Sequence, residues 1–375
     1  MAEYNGAQVE VYYVDGENGN DGGGSPTHDG TSVALAWKTI QYAFEQIELF
    51  GGNDGNDVRI IQTSDDSTYY DLGGAHQTTG ELIAEWASKE VIINGANPSG
   101  VVDGTIVEIY GTSLGGTDSM INVPALHDDL DHTTFSHLKF NAANTAQYCV
   151  EFEYKNNISV NWVNCQFTGA TSHGYYTSNQ ANYHSFINCR FDNNGGSGLE
   201  QQSTSFSLIH KCLFDNNTGD GARVGSSSRI TDSIFYNNGD DGLFVNNSGA
   251  IVCNCIFDSN GSDGLYSSGT FQGIYINNLY TNNTSKGLNA SAANNEHRQF
   301  NPAFYNNTGG DYSTPASNDH LSLYEYLTSA TVTYDDAANF DFTPDSASPI
   351  LEAGVPTPFQ RFGSTTSDIG LNKFR

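Results

Sequence analysis

Glu151, Glu153, Glu200 and Arg223 are the residues whose types and spacing could act on a glycosidic bond. A glycosidase needs two carboxyls flanking that bond, about 5–5.5 Å apart for retention or 6.5–9.5 Å for inversion. Residues i and i+2 on one strand face sit roughly 6.5–7 Å apart, so Glu151 and Glu153 fall near the inverting distance. Any acidic sheet offers such pairs, and spacing alone does not make them catalytic. What matters is which elements hold them, and what stands beside them.

Those elements are written as a repeat. Between Asn164 and Leu288 an aromatic, an Asn-rich turn and a Gly followed by an apolar residue recur six times. The aromatics are Phe167, Phe191, Phe214, Phe235, Phe257 and Tyr280, spaced 24, 23, 21, 22 and 23 residues apart. The glycines are Gly174, Gly198, Gly221, Gly242, Gly264 and Gly287. A near-constant period in the low twenties predicts one solenoid coil per unit, since no unit can bury its apolar face alone. Cys165, Cys189, Cys212 and Cys255 each stand two before an aromatic. Period two puts both side chains on one strand face, where the cysteines act as small buried hydrophobes, with Ser233 filling the missing rung. The same count places Cys253 and His210 in the interior as well. Asn193-Asn194, Asn216-Asn217, Asn237-Asn238, Ser259-Asn260 and Asn282-Asn283 supply the corners. Asn tolerates left-handed backbone, and its stacked amides can form a ladder along the axis.

Two residues past each Gly come Tyr176, Glu200, Arg223, Phe244, Tyr266 and Asn289, and the preceding coil adds Glu151. Aromatic faces stack on pyranose rings while polar groups hydrogen-bond hydroxyls, so this outward row suits a polysaccharide or cell-surface glycan. A protein interface and a plain solvated face are the alternatives. Asp220, Asp241 and Asp263 precede the glycines. Like charges in adjacent coils repel unless screened, protonated or bridged by a hard cation, so calcium there is the alternative to solvated turn carboxylates.

With these short strands and Asn/Gly corners the chain resembles the right-handed parallel β-helix, pectin-lyase-like superfamily, whose members include pectin-lyase-like enzymes and phage tailspikes. Val11–Asp15 with Ala36–Ala43 is similar to the opening segment of such proteins, and Ser348–Gly354 with Asp368–Gly370 to their closing coils. The resemblance implies an all-β, single-stranded right-handed parallel β-helix with a short N-terminal capping helix and an irregular C-terminal closing segment. The divisions expected are 1–57 (opening strand, Gly-rich loop and capping helix), 58–293 (coils, regular over 158–293) and 294–375 (irregular coils and cap). Thr39 is the expected N-cap, Ile40, Ala43, Phe44 and Ile47 the apolar stripe, and Gly51-Gly52 the stop. The loop Asp15–Gly24 lacks EF-hand spacing and is expected to be a flexible polar loop. A lyase of the superfamily would use a cation as base, with calcium neutralising a uronate. Arg190, Lys211 and Arg223 are the candidate bases, beside Asp192, Asp215 and Asp258. Ser172-His173-Gly174 is similar to the histidine element of polygalacturonase-type hydrolases, but their aspartate partners are absent.

Fourteen Lys plus Arg against 43 Asp plus Glu give a net charge of −29. That excludes sequence-independent nucleic-acid binding and adsorption to anionic membranes. No stretch reaches 18 apolar residues, and Met1–Gly6 lacks the charged and apolar regions of a secretion signal. No zinc-type cysteine spacing occurs. The reading favoured is a non-enzymatic surface or virion protein (a phage spike, fibre or capsid decoration) that contacts glycan and forms a homotrimer or joins other virion proteins. The alternative is an extracellular polysaccharide lyase or glycoside hydrolase.

Overall fold

The computed structural model describes residues 10–22, 29–49, 56–78, 80–84, 90–124, 132–153, 159–178, 183–201, 206–225, 227–246, 249–268, 273–290 and 297–313, with strand backbone at 321–324, 327–328, 334–336 and 341–344. Ser348–Gly354, Asp368–Gly370 and Gly51-Gly52, expected to close the solenoid and the helix, lie outside the described residues. The chain divides into two compact units, Met1–Ser185 and Phe186–Arg375.

Each unit is a solenoid of three parallel sheets, as the repeat predicts. In the first, one sheet stacks Val11–Val14, Asn56–Ile61, Val91–Ala96, Thr133–Ser136 and Ser159–Val163. A second holds Val107–Tyr110, Leu138–Asn141 and Gln166–Thr168. The third holds Leu82–Ile83, Ser119–Val123, Tyr148–Phe152 and Tyr175–Thr177. The helix Ile40–Leu49 packs on Asn56–Ile61 and Leu82–Ile83. Its stripe Ile40, Ala43, Phe44 and Ile47 is buried, and Thr39 Oγ1 accepts from Tyr42 N at 3.2 Å, as an N-cap should. Over Asp15–Gly22 the opening loop is more ordered than its composition suggests. Asp21 accepts from Lys38 N and Thr39 N, and Asp15 from Glu17 N and Asn18 N. These carboxylates fix the turn through the backbone hydrogens that a polar loop would otherwise leave to water.

In the second unit the aromatics form a single inward pile. Phe191, Phe214, Phe235, Phe257, Tyr280 and Phe304 are buried and stack at 4.7, 4.8, 4.9, 5.1 and 5.0 Å. At the corner beside it, Asn194, Asn217, Asn238, Asn260 and Asn283 each donate Nδ2 to the Oδ1 of the next asparagine at 2.9–3.0 Å, the ladder ending on Asn307. The preceding residues Asn193, Asn216, Asn237, Ser259, Asn282 and Asn306 take φ of 52–58°. The glycines are needed for close approach: a Cβ on Gly198 would sit 2.7 Å from Gly221 O and 2.9 Å from the Phe191 Cβ. All six cysteines are buried. Ser233 fills the cysteine rung and accepts from Cys212 N at 3.1 Å.

His210 departs from expectation, while Cys253 is buried as expected but on the other strand face. The inward row of their sheet is Ile209, Ile230, Val252 and Tyr275, all fully buried. His210 is partly exposed, with Nδ1 2.8 Å from Thr231 Oγ1. Cys253 is buried but stands in the row of Thr231 and Ile276. Counting by twos from Cys212 or Cys255 runs through Lys211 or Asn254, whose φ of 54° is left-handed. Alternation holds only within a strand, so the corner resets it.

Asn238 shows what the amide ladder is worth. Its Nδ2 donates to Phe214 O and Asn260 Oδ1, and its Oδ1 accepts from Asn217. Asn238→Ala is expected to cost about 2–3 kcal/mol in urea unfolding, because buried backbone groups lose partners. Asn237→Gly, at a left-handed φ of 52°, should change stability by less than about 0.5 kcal/mol. Equal costs would show that the buried ladder carries no special load.

Candidate functional site

In the second unit the first sheet holds Phe206–His210, Arg229–Thr231, Ile251–Cys253 and Ile274–Ile276, and the third Leu199–Gln201, Ala222–Val224, Leu243–Val245, Leu265–Ser267 and Lys286–Asn289. The third sheet of each unit brings the outward residues into register. In the first unit Asn122, Glu151 and Tyr176 are successive neighbours, with Val150 and Phe152 buried beneath. Glu151 Oε2 accepts from Ser119 Oγ at 2.6 Å. Asn122 Nδ2 bridges Glu153 Oε1 at 3.3 Å and Glu81 Oε2 at 3.4 Å, and Ser119 N donates to Glu81 Oε1 at 2.5 Å. Three glutamates thus share two small donors. Burial raises the Glu151 pKa, as do Glu153 and Glu81, against the Ser119 hydrogen bond. Beside them the Tyr176 ring stacks on Tyr148 at 4.7 Å and on His173 at 5.7 Å, giving a flat aromatic platform. His173, noted for the Ser-His-Gly element, is therefore part of a ring stack.

In the second unit Glu200, Arg223, Phe244, Tyr266 and Asn289 follow one another in register. Arg223 is clamped on three sides. Its Nη2 lies 3.0 Å from Asp220 Oδ2, its Nε 3.5 Å from Glu200 Oε2, and its guanidinium 4.4 Å from the Phe244 ring centre. Phe244 meets Tyr266 edge to face at 5.1 Å. Glu200 is only 4% exposed and also accepts from Ser197 Oγ, so it cannot readily reach a substrate. Burial raises its pKa, with Arg223 opposing. Arg190, another candidate base, is paired with Asp215 through two 2.9 Å contacts. Lys211 occupies a left-handed corner of the first sheet. The three candidate bases do not converge on one point of the face.

The acidic column has a structural use. Asp220 Oδ1 accepts from Asp241 N, Asp241 Oδ1 from Asp263 N, and Asp263 Oδ1 from Lys286 N, at 2.8–3.0 Å. Each carboxylate caps the backbone of the next coil. A metal-sized group does form, from Asp220, Asp241 and the exposed Asp240, with one oxygen of each within 4.8 Å of the others. Asp263 is outside it, and Asp240, off the column by one residue, was not among the candidates. Arg223 already sits against Asp220, so this corner carries a cation of its own. Calcium is therefore expected to move the melting temperature by less than about 1 °C. A rise of several degrees that Asp240→Asn removes would identify an ion site.

Three sequence-predicted residues (Glu151, Glu153 and Tyr176) lie together in the first unit, and four (Glu200, Arg223, Phe244 and Tyr266) in the second. Glu81 was missed because the early coils are long and unequal, from Leu82 to Ile121 to Val150 to Tyr175. Tyr148 and His173 lie off the row counted from the glycines.

The family model of the right-handed β-helix region matches residues 131–308. Among solved structures, pectate lyase Pel9A is 14% identical over 97% of this chain and 96% of that one, with a TM-score of 0.54. The A-module of Azotobacter vinelandii mannuronan C-5 epimerase AlgE4 is 11% identical, covering 77% of this chain and 90% of that one at 0.51. The ORF18 protein of Geobacillus virus E2 is 12% identical, covering 84% of this chain and 62% of that one at 0.50. At such identities the likeness is one of fold. No curated protein matches the sequence. Among the described residues no helix is long and apolar enough to cross a membrane.

Burial pushes the Asp241 carboxyl up to about 7. A folded-state pKa above the unfolded value of about 4 stabilises fully below that value, and the stabilisation is lost as pH rises through about 7. Asp241→Asn is thus expected to gain on the order of 2 kcal/mol over the wild type at pH 8 and nothing at pH 4, by chemical denaturation. The same difference at both pH values would contradict this.

Proposed function

We propose that this right-handed parallel β-helix, pectin-lyase-like in fold, holds polysaccharide on the third sheet of each unit without cleaving it, as a surface protein of virion type. The observation that carries the reading is that aromatic rings and hydrogen-bonding groups stand side by side on the outer face within each unit: Phe244 and Tyr266 in register after Arg223 in one, and Tyr176 stacked on Tyr148 and His173 beside Glu151 in the other. Rings repeating at strand spacing suit a chain of sugars, and the polar groups between them suit hydroxyls. Binding without cleavage is favoured because Glu200 and Arg223 are pinned by one another and by Asp220, leaving neither free to move a proton. Two of the fold neighbours are named for pectate and mannuronan chemistry, and a third comes from a virus, so the scaffold is compatible with both sugar-chain chemistry and a viral protein.

A virion role also needs an assembly surface. On the first sheet of the second unit the outward row reads Leu208, Arg229, Ile251 and Ile274, with Phe206 two residues before Leu208, and Phe206 and Leu208 are among the more exposed large apolar residues. That row suits packing against another copy, as in a homotrimer, or against other virion proteins. A second reading, hydrolysis, rests on Glu151, whose raised pKa beside Glu153 is what a general acid requires.

Affinity electrophoresis through polysaccharide gels is expected to retard the protein, and Tyr266→Ala and Tyr176→Ala each to weaken binding roughly tenfold. Reducing-end assays on the same polymers should stay at background. New reducing ends that Glu151→Gln abolishes would replace the binding reading with a hydrolase. Light scattering at micromolar concentration should show a multimer, and a monomer would count against the virion role.

A further inference from the structure

We infer that the third-sheet face of each unit selects uncharged polysaccharide and rejects polyuronate, an inference that rests on these being sugar-binding faces at all. Without a bridging metal, recognition of a uronate is best served by a cationic side chain free to meet its carboxylate, a forked Arg above all. On the described outward row of the second unit the cation is Arg223, and its donors are already turned to Asp220 and Glu200 while its plane lies against Phe244. Lys286, at the end of the acidic column, donates Nζ to Gly309 O at 2.9 Å. Glu200, Asp220 and Asp240 act on Arg223, and Asp263 accepts from Lys286 N.

The first unit is more one-sided. Glu81, Glu151 and Glu153 surround Ser119 and Asn122, and among the described residues none of the three is paired with Lys or Arg. A sugar lying on Tyr176 would therefore meet carboxylate oxygens, which accept hydrogen bonds from hydroxyls and repel a second carboxylate. The whole chain adds to this, at −29. Every uronate unit brings one more negative charge into a field of the same sign, and at low salt such terms accumulate along the polymer. An uncharged hexose or N-acetylhexosamine chain avoids them and keeps the ring stacking.

Gel retardation with glucan, mannan and soluble N-acetylglucosamine polymers, against polygalacturonate and alginate, tests the inference at 20 mM and 300 mM NaCl, with EDTA and with 2 mM calcium. At least one uncharged polymer is expected to bind equally at both salt levels. The uronates should bind at least about tenfold more weakly at 20 mM salt. In Asp240→Asn/Glu153→Gln, which removes two charges that are not in the core, that gap should narrow. Uronate binding at low salt that matches the uncharged polymers, or that calcium switches on, overturns the selectivity but leaves the sugar-binding reading standing. Failure of every polymer to bind removes the sugar-binding reading and this inference with it.

Discussion

One buried amide per coil holds the second unit together. Each asparagine from Asn217 to Asn283 gives one hydrogen to the amide oxygen of the next coil and the other to the backbone carbonyl of an aromatic, such as Phe191 O or Phe214 O. Both hydrogens and the oxygen are spent inside the protein, so a slip of one residue would leave several buried polar groups without partners. Stacked rings are tolerant of small shifts, whereas the amide ladder is not. Register therefore comes from the polar corner, and the apolar pile follows it.

Register in turn makes a face. Residues that are some twenty positions apart become neighbours one strand spacing away, which is how Glu200, Arg223, Phe244 and Tyr266 form a row. The same stacking concentrates like charge, and the fold manages this in two ways. Asp220, Asp241 and Asp263 each turn an oxygen to the backbone of the next coil, and Arg223 and Arg190 sit against carboxylates from two directions. The cost is that the cations are used up internally, which leaves the outer face rich in rings and acceptors and poor in free positive charge.

Much of this could be read from the amino acids. The aromatic period, the Asn corners, the Ser233 rung and the outward row follow from strand alternation applied within a coil. What failed did so where alternation does not apply. His210 and Cys253 were counted across Lys211 and Asn254, left-handed residues that break the parity. Glu81 lies in coils of unequal length, where no constant step leads back from Glu151. The carboxylates of the acidic column look like solvent-facing turn residues until their backbone partners in the next coil are known. The clamp on Arg223 joins a local i,i+3 contact to Asp220 with contacts one coil away, and only the fold unites them.

Removing one whole coil tests the premise most directly. Deletion of Phe235–Ile256 joins Ile234 to Phe257 and brings Asn217 opposite Asn260, leaving every ladder position occupied. In a solenoid held by nearest-neighbour register, this shortened chain is expected to keep a β-rich circular dichroism spectrum and a cooperative melt, while deletion of Phe235–Val245 alone abolishes both. If the two deletions unfold alike, coils are not interchangeable rungs, and the ordered outer face built on them does not exist.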